Sequence, residues 1–238
     1  MPFDIGFSTL TYRTDKVQPK EISWNLLLDE RYKGKISLYS DGVTIIKIGG
    51  LINGVKDPNA MTTDEIQAAK ATMMKAAKNI RTFWTSETAA EKDFINENVW
   101  ISYFWPDGYW KVKNDPKFKN IGVEYMWPKE GRLAWVCGFV LGSQTKVGGR
   151  AHAAVAAANA PKVAAWLTDA YQYGAAQQNG VQPLIKNQAL IKAFSLDDPS
   201  AFAPPVSPGA HGAWFEKPLP NRAEYVKAAE EVKASVST

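Results

Sequence analysis

The 238-residue chain carries nine tryptophans, nine tyrosines and ten phenylalanines. Several of the indoles stand at the ends of segments that read as strands, or in turns: Trp105, Trp110, Trp127, Trp135 and Trp214. Most tryptophans in a globular chain serve core packing. Aromatic faces that point into a cleft do something further, because the ring quadrupole attracts a cation and the face stacks on the CH surface of a small solute. One aspartate accompanies these rings. Asp41 follows a strand-like segment at 35–39 and precedes an apolar run at 43–51. It can give a charge-assisted contact to a bound amine or cap the helix that starts after it, and the sequence leaves both roles open.

The chemistry of catalysis is sparse. Only two histidines occur, His152 and His211, and neither lies at ligand spacing from the other or from the single cysteine, Cys137, so a zinc site is not expected. There is no nucleophile elbow and no glycine-rich phosphate loop after a strand; Gly49-Gly50 and Gly148-Gly149 are bare pairs. Cys137 sits in Trp135-Val136-Cys137-Gly138-Phe139, an apolar strand in which a cysteine is expected to be a small buried hydrophobe. The acidic pairs Asp64-Glu65 and Asp197-Asp198 fall at helix starts or in loops, where capping accounts for them. No cofactor is implied.

Composition sets the bounds for what positions these residues. Apolar residues make up 45% and charged residues 22% of the chain, the balance of a folded globular protein. The net charge of +4 is spread along the chain without a basic stretch that would track a phosphate backbone, which argues against nucleic acid as a partner. The start, Met1-Pro2-Phe3-Asp4-Ile5-Gly6, has neither the basic beginning nor the apolar stretch of a signal peptide, and no apolar run reaches the length of a membrane span.

Residues 3–12 read as a strand with nothing before it to pair with. A short serine-capped helix at 23–29, a turn at Tyr32-Lys33-Gly34 and a strand at 35–39 follow. The run 43–51 reads as a buried helix. Thr62 and Glu65 form a capping box for a helix whose Ile66, Ala69, Met73, Ala77 and Ile80 share a face, and 86–96 reads as another helix. Short strands are expected at 81–84, 100–104, 122–126 and 133–140. Helices at 151–158 and 161–173, a Pro- and Gly-rich loop at 195–220 and a terminal amphipathic helix at 222–234 complete the chain. Alternating strands and helices predict an α/β sheet with helices on both faces.

The order of these segments resembles the polyamine-binding (spermidine/putrescine-type) periplasmic proteins of ABC transporters. The resemblance is carried by Pro2-Phe3-Asp4-Ile5-Gly6-Phe7-Ser8-Thr9-Leu10, by Trp24-Asn25-Leu26-Leu27 with Tyr32-Lys33-Gly34-Lys35-Ile36-Ser37, and by Thr63-Asp64-Glu65-Ile66-Gln67-Ala68-Ala69. It continues through Trp127-Pro128-Lys129-Glu130-Gly131 with Trp135, and through Ala151-His152-Ala153 leading to Pro161-Lys162-Val163-Ala164. It implies an α/β periplasmic-binding-protein-like fold of type II, two-lobed and with the first lobe incomplete. Residues 1–136 would be the second lobe entered by a crossing strand, 137–182 the remaining helical part of the first lobe, and 183–238 a return to the second. The orphan strand at Phe3 agrees with a missing opening part, as does a misassigned start, and the full-length protein is expected to be periplasmic.

Carried over residue by residue, the resemblance gives a mixed set of ligand contacts. Asp41 matches an amine-binding aspartate, Trp105 and Trp135 match two cage tryptophans, and Tyr173 matches a cage tyrosine. Thr44 stands in the place of a second carboxylate, Cys137 in that of a third, and Phe215 lies near a glutamine position. An aromatic box with one carboxylate holds a multiply charged amine poorly, so a monocationic, neutral or zwitterionic solute is expected in place of spermidine. The resemblance implies a monomeric solute receptor that works with an ABC transporter permease. Two other readings stay open: an α/β enzyme with an unrecognised site, and a truncated relic that binds nothing.

Overall fold

The computed structural model describes residues 1–177, 180–205 and 212–236. In chain order its elements are β1 (Pro2–Arg13), β2 (Ile36–Tyr39), α1 (Thr44–Ile52), α2 (Thr63–Ala77), β3 (Ile80–Trp84), α3 (Glu87–Ile95), β4 (Ile101–Phe104) and α4 (Pro106–Lys113). They continue as β5 (Val123–Tyr125), β6 (Arg132–Gly138), α5 (Gly148–Ala158), α6 (Pro161–Tyr171), β7 (Gly174–Ala175), α7 (Gln188–Ala193), β8 (Ala213–Phe215) and α8 (Arg222–Ala234).

The sheet runs β3-β2-β4-β1-β6-β8, with β5 and β7 also paired to β1. β2 is parallel to both β3 and β4, which the crossover helices α1, α2 and α3 permit. β1 is the hub. Its C-terminal half is antiparallel to β4 and β5, and its N-terminal half to β6 and β7. The opening strand, with nothing before it to pair with, takes all its partners from later in the chain and is long enough to change neighbours midway.

Local sequence explains most of the elements. Thr62 Oγ1 accepts from the Glu65 N–H at 3.2 Å and Glu65 Oε2 accepts from the Thr62 N–H at 2.8 Å, closing the capping box that starts α2. α1 is buried almost all round, and Gly49 lets α2 approach: a Cβ there would lie 2.5 Å from the Ala69 carbonyl oxygen. α8 packs on α2 and α1, and β8 runs parallel to β6, so the C-terminal segment closes over the sheet built by the first 138 residues. The core is one cluster around Phe7, Trp24, Phe94, Phe104, Phe118 and Tyr225.

Four expectations are corrected. Trp110, expected at a strand end or in a turn, lies within α4, a helix started by Trp105 and by Pro106 in the first turn, where a missing N–H costs nothing. The loop expected at 195–220 contains β8 and a 3-10 turn at Pro199–Phe202; His211 lies outside the described residues. The expected strand 133–140 ends at Gly138. Its outer half leaves the core, so Cys137 is exposed and not buried. Val136, Phe139, Val140, Leu141, Trp166 and Tyr171 are exposed with it, and α5 buries none of its residues.

Candidate ligand-binding cleft

A cavity of about 430 Å³ opens beside the point where β1 passes from β6 and β7 to β4 and β5. Its lining includes Asp41 and Thr44 from the start of α1, Trp105 from the start of α4, Trp135 and Cys137 from β6, and Tyr173 just before β7. Six of the seven residues singled out from the sequence therefore share one cavity. The seventh, Phe215, does not line it; the next residue, Glu216, does. Successive residues of an extended segment face opposite ways, so an offset of one position exchanges an apolar ring for a carboxylate. Phe215 instead packs on the core, and its carbonyl oxygen accepts from Asn59 Nδ2 at 3.0 Å.

Two aromatic groups form the walls. On one side Tyr39 and Trp105 lie 5.1 Å apart between ring centroids, and Trp84 stands edge-on to Trp105 at 5.4 Å. On the other, Trp135 and Tyr173 meet edge to face at 5.5 Å. The Trp135 indole lies over the backbone of its cross-strand partner Gly6. A Cβ at Gly6 would come within 2.4 Å of two carbons of that ring, so only glycine lets the indole lie there.

Asp41 does both jobs that its position allows. Its Oδ2 accepts from the Thr44 N–H at 2.8 Å and from Thr44 Oγ1 at 2.7 Å, which caps α1, and its carboxylate still lines the cavity. Thr44 is thus the partner of the carboxylate and not a vacancy where one is missing. Burial first, and then the charges of Asp41 and Glu216, push the phenol of Tyr39 above its ordinary range. Burial likewise raises Tyr103, another lining residue, with Glu216 and Asp41 acting in the same direction.

A third carboxylate completes the set. Asp4 of β1 is the direct cross-strand partner of Cys137 and lines the same cavity, and its buried Oδ1 has no hydrogen-bond partner among the described residues. Burial first, then Asp4, pushes the Cys137 thiol up to about 11, far from a nucleophile's range. The expectation of a cavity with a single carboxylate is overturned: Asp4, Asp41 and Glu216 all face it. Asp4 and Glu216 carry no motif along the chain and reach the cavity through strand register. The alternation of a strand, and the pairing of β1 with β6, would have been the signals.

Other acidic groups lie outside this lining. Glu87, Glu91 and Asp107 bring carboxylate oxygens within 4.8 Å of one another, but Lys111 Nζ already reaches Glu91 at 3.1 Å and Asp107 at 3.0 Å. Burial first, then Asp107, raises the Glu87 carboxyl to about 9. Glu87 Oε1 accepts from the Trp105 N–H at 3.1 Å, so the group buttresses a wall of the cavity from behind. An adjoining cavity of about 400 Å³ shares Asp4 and Tyr173 but is otherwise lined by residues such as Phe3, Ala164 and Leu167; it offers far less charge.

A family model, bacterial extracellular solute-binding protein, matches residues 1–203. The chain belongs to that family. Solute-binding proteins of this kind are not enzymes. The chain is 26% identical over 220 residues to the putrescine-binding periplasmic protein PotF of Escherichia coli K12, which covers 86% of the chain and 56% of that relative. It is 26% identical over 169 residues to the spermidine/putrescine-binding periplasmic protein 1 of Haemophilus influenzae, 71% of the chain and 44% of the relative. It therefore spans about half the length of these curated relatives. The solved structure of the spermidine/putrescine ABC transporter substrate-binding protein PotD from Streptococcus pneumoniae superposes with a TM-score of 0.77 at 18% identity, over 99% of the chain and 69% of that protein. The α/β periplasmic-binding-protein-like fold is shared over nearly the whole chain. No helix among the described residues is long and apolar enough to cross a membrane.

Proposed function

We propose that the chain binds a small organic dication of the diamine class in the cleft between the Trp105 and Trp135 walls, as the solute-receiving part of an ABC importer in the periplasm. The observation that carries this reading is the meeting of three carboxylates with two aromatic walls around one cavity of about 430 Å³. Aromatic faces favour the alkyl stem and the ammonium groups of such a ligand together, and each carboxylate offsets the desolvation of one ammonium. Asp4 Oδ1, buried and unpartnered, gains a donor when an amine arrives. On this reading residues 1–136 and the tail form one lobe, residues 137–182 belong to the other, and closure on the solute presents the shape that a permease recognises.

Three carboxylates favour a dication over the monocationic, neutral or zwitterionic solute that a single carboxylate implies. The relatives that match by sequence are named for putrescine and spermidine binding, which supports an amine. Isothermal titration with putrescine, spermidine and a monoamine of equal length tests the reading. The diamine should bind at least tenfold more tightly than the monoamine, and D4N, D41N and E216Q should each weaken it about tenfold or more, as expected for removing one charge-assisted bond of about 1.5–3 kcal/mol. Equal affinity for monoamine and diamine would sink the assignment.

A further inference from the structure

α1 holds a second feature of the charge balance. Lys47 lies in the middle of the run Thr44-Ile45-Ile46-Lys47-Ile48, in a helix buried almost all round, and is itself only 4% exposed. It forms no ion pair within 4.0 Å among the described residues. Instead it lines a smaller cavity of about 210 Å³ that lies against the back of the cleft, with Asp41 and Glu216 as the shared wall. Burial lowers the Lys47 ammonium from its ordinary range, and Glu216, Asp41 and Asp57 oppose that effect in this order. Asp57 is already paired with Lys217 at 3.6 Å. The two cleft acids are therefore the principal counter-charges of Lys47, without touching it.

We infer that Lys47 is a specificity-determining residue: a resident cation behind the cleft that cancels one of its three negative charges and so sets the site for a dication over a trication. This rests on the cleft being an amine site. Three carboxylates and one buried ammonium leave a balance of two negative charges, which two ammonium groups of a ligand neutralise and three exceed. A buried charge is screened far less than an exposed one. Glu216 is as exposed as Lys217 and Arg222, but it lines the cleft itself while they do not, and Lys217 is engaged with Asp57, so those two cations count for less. Lys47 does not line the cleft and acts on the ligand only through Asp41 and Glu216.

The test compares putrescine and spermidine by titration calorimetry on the wild-type chain, K47M and K47R. K47M should tighten spermidine relative to putrescine by at least fivefold, and the shift should shrink with added salt; K47R should keep the wild-type ratio. A merely structural lysine would alter both affinities in parallel and leave their ratio within twofold of wild type, which overturns the inference. K47Q reads the same ratio should K47M not melt cooperatively. A wild-type chain that binds neither amine overturns the amine reading and the inference with it, whereas one that binds both, with an unchanged ratio in K47M and K47Q, overturns the inference alone.

Discussion

Gly6→Ala is a small change with a calculable effect on the cleft. The added methyl would stand 2.4 Å from Cζ2 and Cη2 of Trp135 and 3.1 Å from its Cε2. Carbon atoms in ordinary contact are about 3.5–4.0 Å apart, so the indole must retreat by roughly 1 Å or more. β1 is held on that side by its ladder with β6, which leaves the partly exposed ring as the group that moves, toward the cavity and away from its edge-to-face seat on Tyr173. Overpacking of this size costs about 1–3 kcal/mol. A displaced aromatic wall forfeits much of a cation–π contact, itself worth about 0.5–2 kcal/mol. On the proposed amine reading the putrescine Kd should rise about tenfold, which is about 1.4 kcal/mol, with a smaller loss of chain stability because the ring can move into open space. A double-mutant cycle supplies the control: in a Trp135→Ala background Gly6→Ala should cost almost nothing further in either readout. The reasoning fails if Gly6→Ala binds with wild-type affinity, or if its penalty persists unchanged without the indole.

Three further outcomes are expected. Glu87 has a folded-state carboxyl raised to about 9 against an unfolded value near 4.5, so its contribution to stability is complete below about pH 4.5 and is lost as pH rises toward 9; the melting temperature should fall over that window, and E87Q should flatten the fall. Arg132 is a buried cation caged by Trp127 at 4.0 Å and Tyr125 at 4.5 Å, donating to the carbonyl oxygens of Tyr125 at 2.7 Å and Met126 at 2.9 Å. R132K, which loses the planar fork, should cost about 2 kcal/mol in urea unfolding, and a cost under about 0.5 kcal/mol would contradict that account. The exposed Cys137 thiol, pushed up to about 11 by burial and then by Asp4, should alkylate slowly at pH 7.5 and about tenfold faster per pH unit up to that value; D4N should speed the reaction at pH 8, and an unchanged rate would remove Asp4 from beside it.

Much of the fold was legible because its signals are local. The capping box at Thr62 and Glu65 and the period of Ile66, Ala69 and Met73 mark α2, and the bounds of the terminal helix agree at both ends. α4 is less legible, because Trp105 and Trp110 suit strand ends and turns, although Pro106 in a first turn followed by Lys111 and Lys113 in the last is a helix pattern. β7 and β8 are two and three residues long. Such strands are made by the neighbours they pair with, and no window of sequence that short carries a period. The outward course of β6 was equally hidden, since Val136, Cys137 and Phe139 are apolar and yet exposed; composition speaks for an interior only when something covers it.

The cleft was half legible for a related reason. Aromatic side chains at the ends of elements reach a shared space from almost any approach, so Trp105, Trp135 and Tyr173 could be named from chain position alone. Charge is less forgiving, because a carboxylate acts through a particular direction and a particular partner. Cys137 put an uncharged group where the resemblance implies an acid, and β1 sets Asp4 directly across the ladder from it; Phe215 turns to the core while Glu216 faces the cavity. Both carboxylates lie one step from the expected position, one across a strand pair and one along a strand, and both steps are invisible until register is known. Lys47 was the legible exception that went unread: a lysine amid Ile45, Ile46 and Ile48 is a buried charge by pattern alone, and a buried charge demands opposite charge nearby. Asp41 by itself, already holding Thr44 through one oxygen, could not both offset that lysine and receive an amine. The lysine therefore calls for a further acid nearby, and Glu216, at the wall shared by the two cavities, supplies it.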